Sequence, residues 1–220
     1  MSRYQLIIFD FDGTLAVTHP AIISCAIKTF QTFNIKPPTE EQIQSVIGVP
    51  LAEAFTIFHP AIATEEIPQW IETYRLFYQT EGLLKINLFS GVNQVIHAAS
   101  SEGLNLVIVS VKHTKFLNLA LKELKINSYF DLVIGDDGQT AIKPDASVFY
   151  SAIQPIYPDI QSNEVLVVGD SHVDLRFAKN AGLDVCWAAY GYGDRAKCLA
   201  LNPIFVVNDI SELISIIQKE

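Results

Sequence analysis

Six short, continuous apolar runs punctuate this chain, at residues 6–9, 106–109, 132–134, 165–168, 185–187 and 205–207. Runs of this length without polar alternation belong to strands covered on both faces, and such strands are characteristically parallel. Between them the apolar residues fall at helical spacing. Val92, Val95, Ile96 and Ala99 share one face, as do Leu117, Ala120, Leu121 and Leu124. Strands alternating with helices predict an α/β fold built on a doubly wound, mostly parallel sheet.

One stretch breaks the rhythm. From 16 to 85 no strand run occurs. Segments 21–33, 40–46, 51–58 and 65–78 instead carry helical patterns, punctuated by Pro37, Pro38, Pro50 and Pro60. A helical insertion therefore follows the first strand, and the sheet resumes near Gly91. The expected division is a core of 1–15 and 86–220 with an insertion of 16–85.

Composition narrows the function classes. Half of the 220 residues are hydrophobic, enough for a sizeable core, and the formal net charge is −9. An acidic surface repels nucleic-acid backbones, although a local site can still be positive. The cysteines Cys25, Cys186 and Cys198 form no CxxC pair, as expected of a reduced, cytoplasmic protein. The apolar run at 6–9 is cut short by Asp10, and no later stretch approaches the ~18 apolar residues of a membrane span. Neither a signal peptide nor a membrane partner is expected.

In open α/β sheets ligands gather at the carboxyl ends of the strands. The first run leads into Asp10-Phe11-Asp12-Gly13-Thr14-Leu15. Residues i and i+2 of an extended chain face the same side, which aligns the two carboxylates, and Gly13 permits a tight turn. An isolated pair of this kind can be a mere acidic loop; the longer string after an apolar strand is more specific. The second run ends in Ser110, with Lys112 nearby. A hydroxyl there can donate to a phosphoryl oxygen or cap a helix. A polar loop at 135–141 precedes Lys143-Pro144-Asp145, where the lysine is either a compact positive charge for the site or a solvated surface group. The fourth run leads into Gly169-Asp170-Ser171-His172-Val173-Asp174. Asp170 and Asp174, about one helical turn apart, can face a common metal or serve as helix cap and dipole partner.

Taken in order, a carboxylate pair, a hydroxyl, a lysine and a second carboxylate pair resemble the four motifs of the haloacid dehalogenase superfamily of phosphohydrolases, across essentially the whole chain. The insertion at 16–85 is similar to that superfamily's cap on a Rossmann-like core. Ile47-Gly48-Val49-Pro50-Leu51 and Gly191-Tyr192-Gly193 resemble its phosphoglycolate-phosphatase group.

The resemblance implies a phosphatase acting on a small phosphorylated metabolite. Asp10 would be the nucleophile and Asp12 the general acid and base. Magnesium, as Mg²⁺, would be held by the carboxylates of Asp10 and Asp170 and the main-chain carbonyl of Asp12, with Asp174 direct or through water. Ser110, Lys143 and backbone N–H groups near Phe11 and Asp12 would hold the phosphoryl oxygens. Gly48 and its neighbours in the cap would touch the rest of the substrate. Arg75 is either a partner for a substrate carboxylate or a solvated helix-surface charge.

Charge counting supports the metal. Asp10, Asp12, Asp170 and Asp174 would crowd four negative charges around an anionic phosphate. At roughly 4 Å and an effective dielectric of about 20, two like charges repel by about 4 kcal/mol. One Mg²⁺ and Lys143 supply three positive charges, and the remainder favours a proton on one carboxylate, usefully Asp12.

Two residues depart from the family's pattern, and a third, His172, lies inside the fourth motif. Val111 stands where many relatives carry Asn, which puts substrate identity in doubt. Ala146 replaces a common proline, with little expected effect, and His172 reads as a solvated turn residue or an outer neighbour of the metal site. A phosphomutase, a pyrophosphatase or a nucleotidase would keep the same motifs. A phospho-acceptor receiver domain also uses aspartate, hydroxyl and lysine, but its aspartate lies on a later strand. The complete set of motif residues argues against an inactive scaffold.

Overall fold

The structure, a computed structural model, describes residues 3–218. Its strands are β1 (Leu6–Phe9), β2 (Ala16–Val17), β3 (Asn87–Leu88), β4 (Asn105–His113), β5 (Leu132–Asp136), β6 (Val165–Gly169), β7 (Asp184–Ala188) and β8 (Phe205–Val207). Six form one parallel sheet in the order β5-β4-β1-β6-β7-β8. Each of the six apolar runs lies inside one of these strands. The chain steps outward from β1 to β5 on one side and from β6 to β8 on the other. β1 therefore sits where the winding reverses, the place where such sheets open a crevice.

Alternate residues of the strands feed two separate cores. Ile7, Phe9, Leu106, Ile108, Leu166 and Val168 pack beneath helices α5 (Val92–Ser101), α6 (Thr114–Glu123) and α9 (Leu213–Ile217). Leu6, Ile8, Val107, Val109, Val165 and Val167 meet α7 (His172–Ala181) and α8 (Arg195–Leu199) on the opposite face. The four apolar residues read as one face of α5 are fully buried. Burial on both faces explains why β1, β4, β6 and β7 are continuously apolar. Among the described residues no helix is long and apolar enough to cross a membrane.

Between β2 and β3 lie four helices: α1 (His19–Thr32), α2 (Glu40–Ser45), α3 (Leu51–Phe58) and α4 (Ile67–Phe77). A π-helical turn, Tyr78–Gly82, continues α4. This insertion has its own small core of Phe30, Phe55, Ile62 and Trp70, with Phe33 stacked on Trp70 at 4.4 Å. The sequence led us to expect no strand from 16 to 85, yet Ala16–Val17 pairs antiparallel with Asn87–Leu88. A strand of two residues has no readable alternation, and its partner lies some seventy residues away. The pair ties together the two chain segments that lead into and out of the helices.

Candidate active site

The β1 strand delivers Asp10 to the crevice and holds it by the main chain, whose N–H donates to the Val168 carbonyl at 2.9 Å. The loop that follows is wound around the Phe11 carbonyl, which accepts from the N–H groups of Leu15 and Ala16 at 3.1 and 3.0 Å. Gly13 sits at φ +83°, and a Cβ there would lie 2.4 Å from Asp170 Oδ2. This turn therefore needs glycine for both its conformation and its contact with Asp170. The Phe11 side chain is buried in the core, so only its main chain is left to face a ligand.

Lys143, expected either at the site or in solvent, is buried at the site. Its Nζ donates to Asp10 Oδ1 at 2.6 Å and to Asp174 Oδ1 at 2.5 Å. Asp174 takes the capping role that the sequence offered as one of its alternatives, and it also binds Lys143. Its Oδ2 accepts from the Ser171 N–H and hydroxyl at 3.0 and 2.7 Å, closing a capping box on α7, while Oδ1 takes Lys143. Asp170 Oδ2 accepts from the Tyr192 N–H at 2.6 Å, and its main-chain carbonyl accepts from Trp187 Nε1 at 2.7 Å. Ser110 is buried and lines the same pocket as these groups. It does not end its strand, as the sequence suggested: β4 continues to His113 after a register shift beyond Val109. Those last residues, Val111, Lys112 and His113, are half-buried and two of the three are polar, so the continuous apolar signal stops at Ser110.

Carboxylate oxygens of Asp10, Asp170 and Asp174 lie within 4.8 Å of one another, all three residues buried. These donors are hard oxygens, and three carboxylates with Lys143 leave a charge of −3 + 1 = −2. A divalent oxygen-seeking cation of the Mg²⁺ type fits both the donor chemistry and the charge. Electrostatics record the crowding. Burial pushes the Asp10 carboxyl up to about 7, with Lys143 opposing and the Asp174 charge adding to the rise. Burial and the charges of Asp10 and Asp174 likewise raise Asp170 well above the carboxylate range. Burial works against the Lys143 ammonium, but Asp10 and Asp174 outweigh it and hold it above its ordinary value.

Residues 7–188 match the family of haloacid dehalogenase-like hydrolases. The chain belongs to that family. It is 29% identical over 211 residues to the pyrophosphatase PpaX of Anoxybacillus flavithermus, covering 96% of this chain and 95% of that protein. The PpaX of Bacillus thuringiensis strain Al Hakam is 27% identical over 216 residues, covering 98% and 97%. Among solved structures, a predicted phosphoglycolate phosphatase from Haemophilus somnus superposes with a TM-score of 0.91 at 24% identity, covering 99% of this chain and all of that one. A haloacid dehalogenase-like family hydrolase from Streptococcus pneumoniae gives 0.87 at 24% identity, covering 99% and 100%.

In this haloacid dehalogenase-like hydrolase the Asp12 carboxylate stands apart from the acidic cluster. It is gripped by Lys112, a neighbour of Ser110 to which the motifs assign no role. The signal was available, because Lys112 lies two residues beyond Ser110 on an extended strand and so shares its face. Burial opposes the Lys112 charge, but Asp12 and Tyr78 outweigh it and raise the ammonium. Gly191 and Gly193 also carry the site. A Cβ on Gly191 would come within 2.3 Å of Asp170 Cβ, and one on Gly193 within 2.0 Å of the Asp170 carbonyl.

The helical insertion reaches the site through Ile47 and Gly48. Gly48, at φ +96°, lies opposite Ser171, with 3.8 Å between its Cβ position and the Ser171 hydroxyl. Arg75 lies outside the acidic pocket. It lines a wider adjoining cavity, with its guanidinium 5.8 Å from the Phe116 ring centre, and is half-buried rather than solvated. His172 is half-buried at the start of α7 and takes no place in the pocket lining.

Proposed function

We propose that this hydrolase is a Mg²⁺-dependent phosphatase that cleaves a small phosphate monoester through a phosphoaspartyl intermediate at Asp10. The observation that carries the reading is the buried cluster at the end of β1: Asp10 2.6 Å from Lys143, with Asp170 and Asp174 oxygens within 4.8 Å. The substrate enters between a helical cap, residues 16–85, and a core formed by 1–15 and 86–220. Asp10 attacks phosphorus and the bond to the leaving oxygen breaks. Asp12, as the general acid, gives a proton to the departing alkoxide. As a carboxylate it then takes a proton from the water that attacks the acyl phosphate, which releases inorganic phosphate and restores Asp10. Ser110, Lys143 and the N–H groups of Phe11 and Asp12 orient the phosphoryl oxygens. Mg²⁺ would be held by Asp10, Asp170 and Asp174 with the Asp12 carbonyl, and when bound it neutralises the charge that these carboxylates and the phosphoryl group bring together.

A second reading, pyrophosphate hydrolysis, is favoured by the relatives named as pyrophosphatases. It would use the same nucleophile with phosphate as the leaving group. Both readings are tested by measuring phosphate release from 2-phosphoglycolate, sugar phosphates, nucleotides and pyrophosphate, each with Mg²⁺ and with EDTA. Release that needs Mg²⁺ supports the phosphatase reading, and a preference for an ester or for pyrophosphate decides between the two. Silence across the whole panel, or full activity in chelator, overturns it.

A further inference from the structure

Beside the acidic pocket lies a larger cavity of about 130 Å³. The two share Asp12, Ile47, Gly48 and Val111 in their linings. Asp12 thus stands at the junction, with phosphate chemistry on one side and the larger cavity on the other. If Asp12 protonates the leaving oxygen, the carbon attached to that oxygen must point into this second space.

The walls there are mostly apolar. Ile22, Ile43 and Phe55 come from the helical insertion, and Phe116 from the core, with Val49 and Val111 near the junction. Among the charged groups of the lining Lys112 is bound to Asp12, and Arg75 and Asp136 add one charge of each sign, so the lining has no net charge. No surplus of positive charge awaits an anionic leaving group. A second phosphate or a polyhydroxylated sugar would lose hydration against the apolar majority of these walls, with Tyr74, Arg75, Tyr78, His113 and Asp136 as the few polar groups beyond the Lys112–Asp12 pair. Size also selects. An apolar cavity of about 150 Å³ accommodates benzene, so the space here suits one ring or a branched chain of similar volume.

Resting on the phosphatase reading, we infer that the substrate is the phosphate monoester of an apolar alcohol, whose ring or branched chain fills this cavity. Edge and face contacts with Phe55, Phe58, Tyr74, Tyr78 and Phe116 favour an aromatic ring.

The test compares benzyl phosphate with ethyl phosphate, whose parent alcohols have similar acidity, with pyrophosphate and 2-phosphoglycolate alongside. We expect kcat/KM for benzyl phosphate to exceed that for ethyl phosphate about tenfold or more, the discrimination an apolar pocket gives for a few carbons. Val49→Phe, which occupies the cavity, and Val111→Asn, which makes its entrance polar, should each draw that ratio toward one. Binding is measured in parallel by calorimetry with 2-phenylethylphosphonate and propylphosphonate, which cannot be hydrolysed. The aromatic phosphonate should bind about tenfold more tightly. Equal affinities, or pyrophosphate preferred over benzyl phosphate, would overturn the apolar-substrate inference while leaving the phosphatase reading intact. Absence of turnover with every ester would remove the phosphatase reading, and the phosphonate affinities would still decide what the cavity accepts.

Discussion

Lys112 Nζ lies 3.1 and 3.2 Å from the two carboxylate oxygens of Asp12, so one ammonium clamps both oxygens of the proposed acid and base. The two side chains are only 10% and 12% exposed. Removing one partner from such a pair leaves an uncompensated charge and costs about 3 kcal/mol or more. Lys112→Met should therefore destabilise the protein by about that amount. Combining it with Asp12→Asn should cost less than the two single changes added together. Urea unfolding of the four proteins measures the coupling, and strict additivity would show that the clamp is energetically empty. Lys112→Met should also lower kcat/KM about 10²-fold, because Asp12 is no longer held in one position.

Asp10→Asn keeps the volume of the side chain and removes one charge from a cluster carrying −2. Turnover should fall at least about 10³-fold, as expected when a nucleophile is lost. Stability without metal should stay level or rise, since like-charge repulsion is relieved. Kinetics and urea midpoints on the same preparation separate these effects. Near-normal turnover in a folded variant would refute the nucleophile assignment.

Much of this architecture was legible in the chain. Strands β1, β4, β6 and β7 show as apolar runs because each is buried on both faces, and the edge strands β5 and β8 show as apolar runs although they are only partly covered, with Val206 39% exposed. What the sequence hid was set by distant contacts. The β2–β3 pair joins two dipeptides too short for any period. After Ser110, β4 runs on through Val111, Lys112 and His113, which are partly buried and make no continuous apolar run, so Ser110 looked like a strand end. Asp10, Asp170, Lys143 and Asp174 could be named from motifs, but that Lys143 bridges Asp10 and Asp174 depends on the packing of segments 133 and 31 residues apart. The division of labour that leaves Asp12 to Lys112 also had no local sign. The spacing of Lys112 from Ser110 placed it on the right face without saying which carboxylate it would meet.

The raised carboxyl of Asp10 makes metal-free stability depend on pH. Its ordinary pKa is 3.8 and its folded value about 7. Between those values the folded chain keeps a proton that the unfolded chain has released. Stability without metal therefore falls as pH rises from about 4 to about 7, and the loss is complete above that window. The contribution is isolated by subtracting the same pH series for Asp10→Asn, which cancels most other titrating groups. Mg²⁺ prefers ionised carboxylates, so its stabilisation should be larger at pH 7.5 than at pH 5, reaching about 2.7 kcal/mol at a hundredfold excess over its dissociation constant. Thermal melts in EDTA and in Mg²⁺ at the two pH values provide the check. A gain of equal size at both, or one that survives in Asp170→Asn, would place the metal elsewhere.

Gly191 gives a test of the site that leaves every ionisable group in place. Its backbone is not among the left-handed glycines, so alanine there carries no conformational penalty. The added methyl would nevertheless stand 2.3 Å from Asp170 Cβ, 2.4 Å from the Gly13 carbonyl oxygen and 2.6 Å from Asp170 Oδ2. Two of these atoms belong to Asp170 and the third to the turn that carries Asp12, so relief must move the site itself. Overpacking of this kind costs about 1–3 kcal/mol, and here it should also weaken Mg²⁺ affinity about tenfold or more, the scale seen when the support of a metal ligand is disturbed. Gly138→Ala is the control. Gly138 sits at φ +75° with open space around it, so alanine should cost stability through backbone strain alone and leave Mg²⁺ affinity unchanged. Calorimetric titration of Mg²⁺ into both variants distinguishes the outcomes. Equal affinities in the two would mean that the fit of Gly191 against Asp170 does not position a metal ligand.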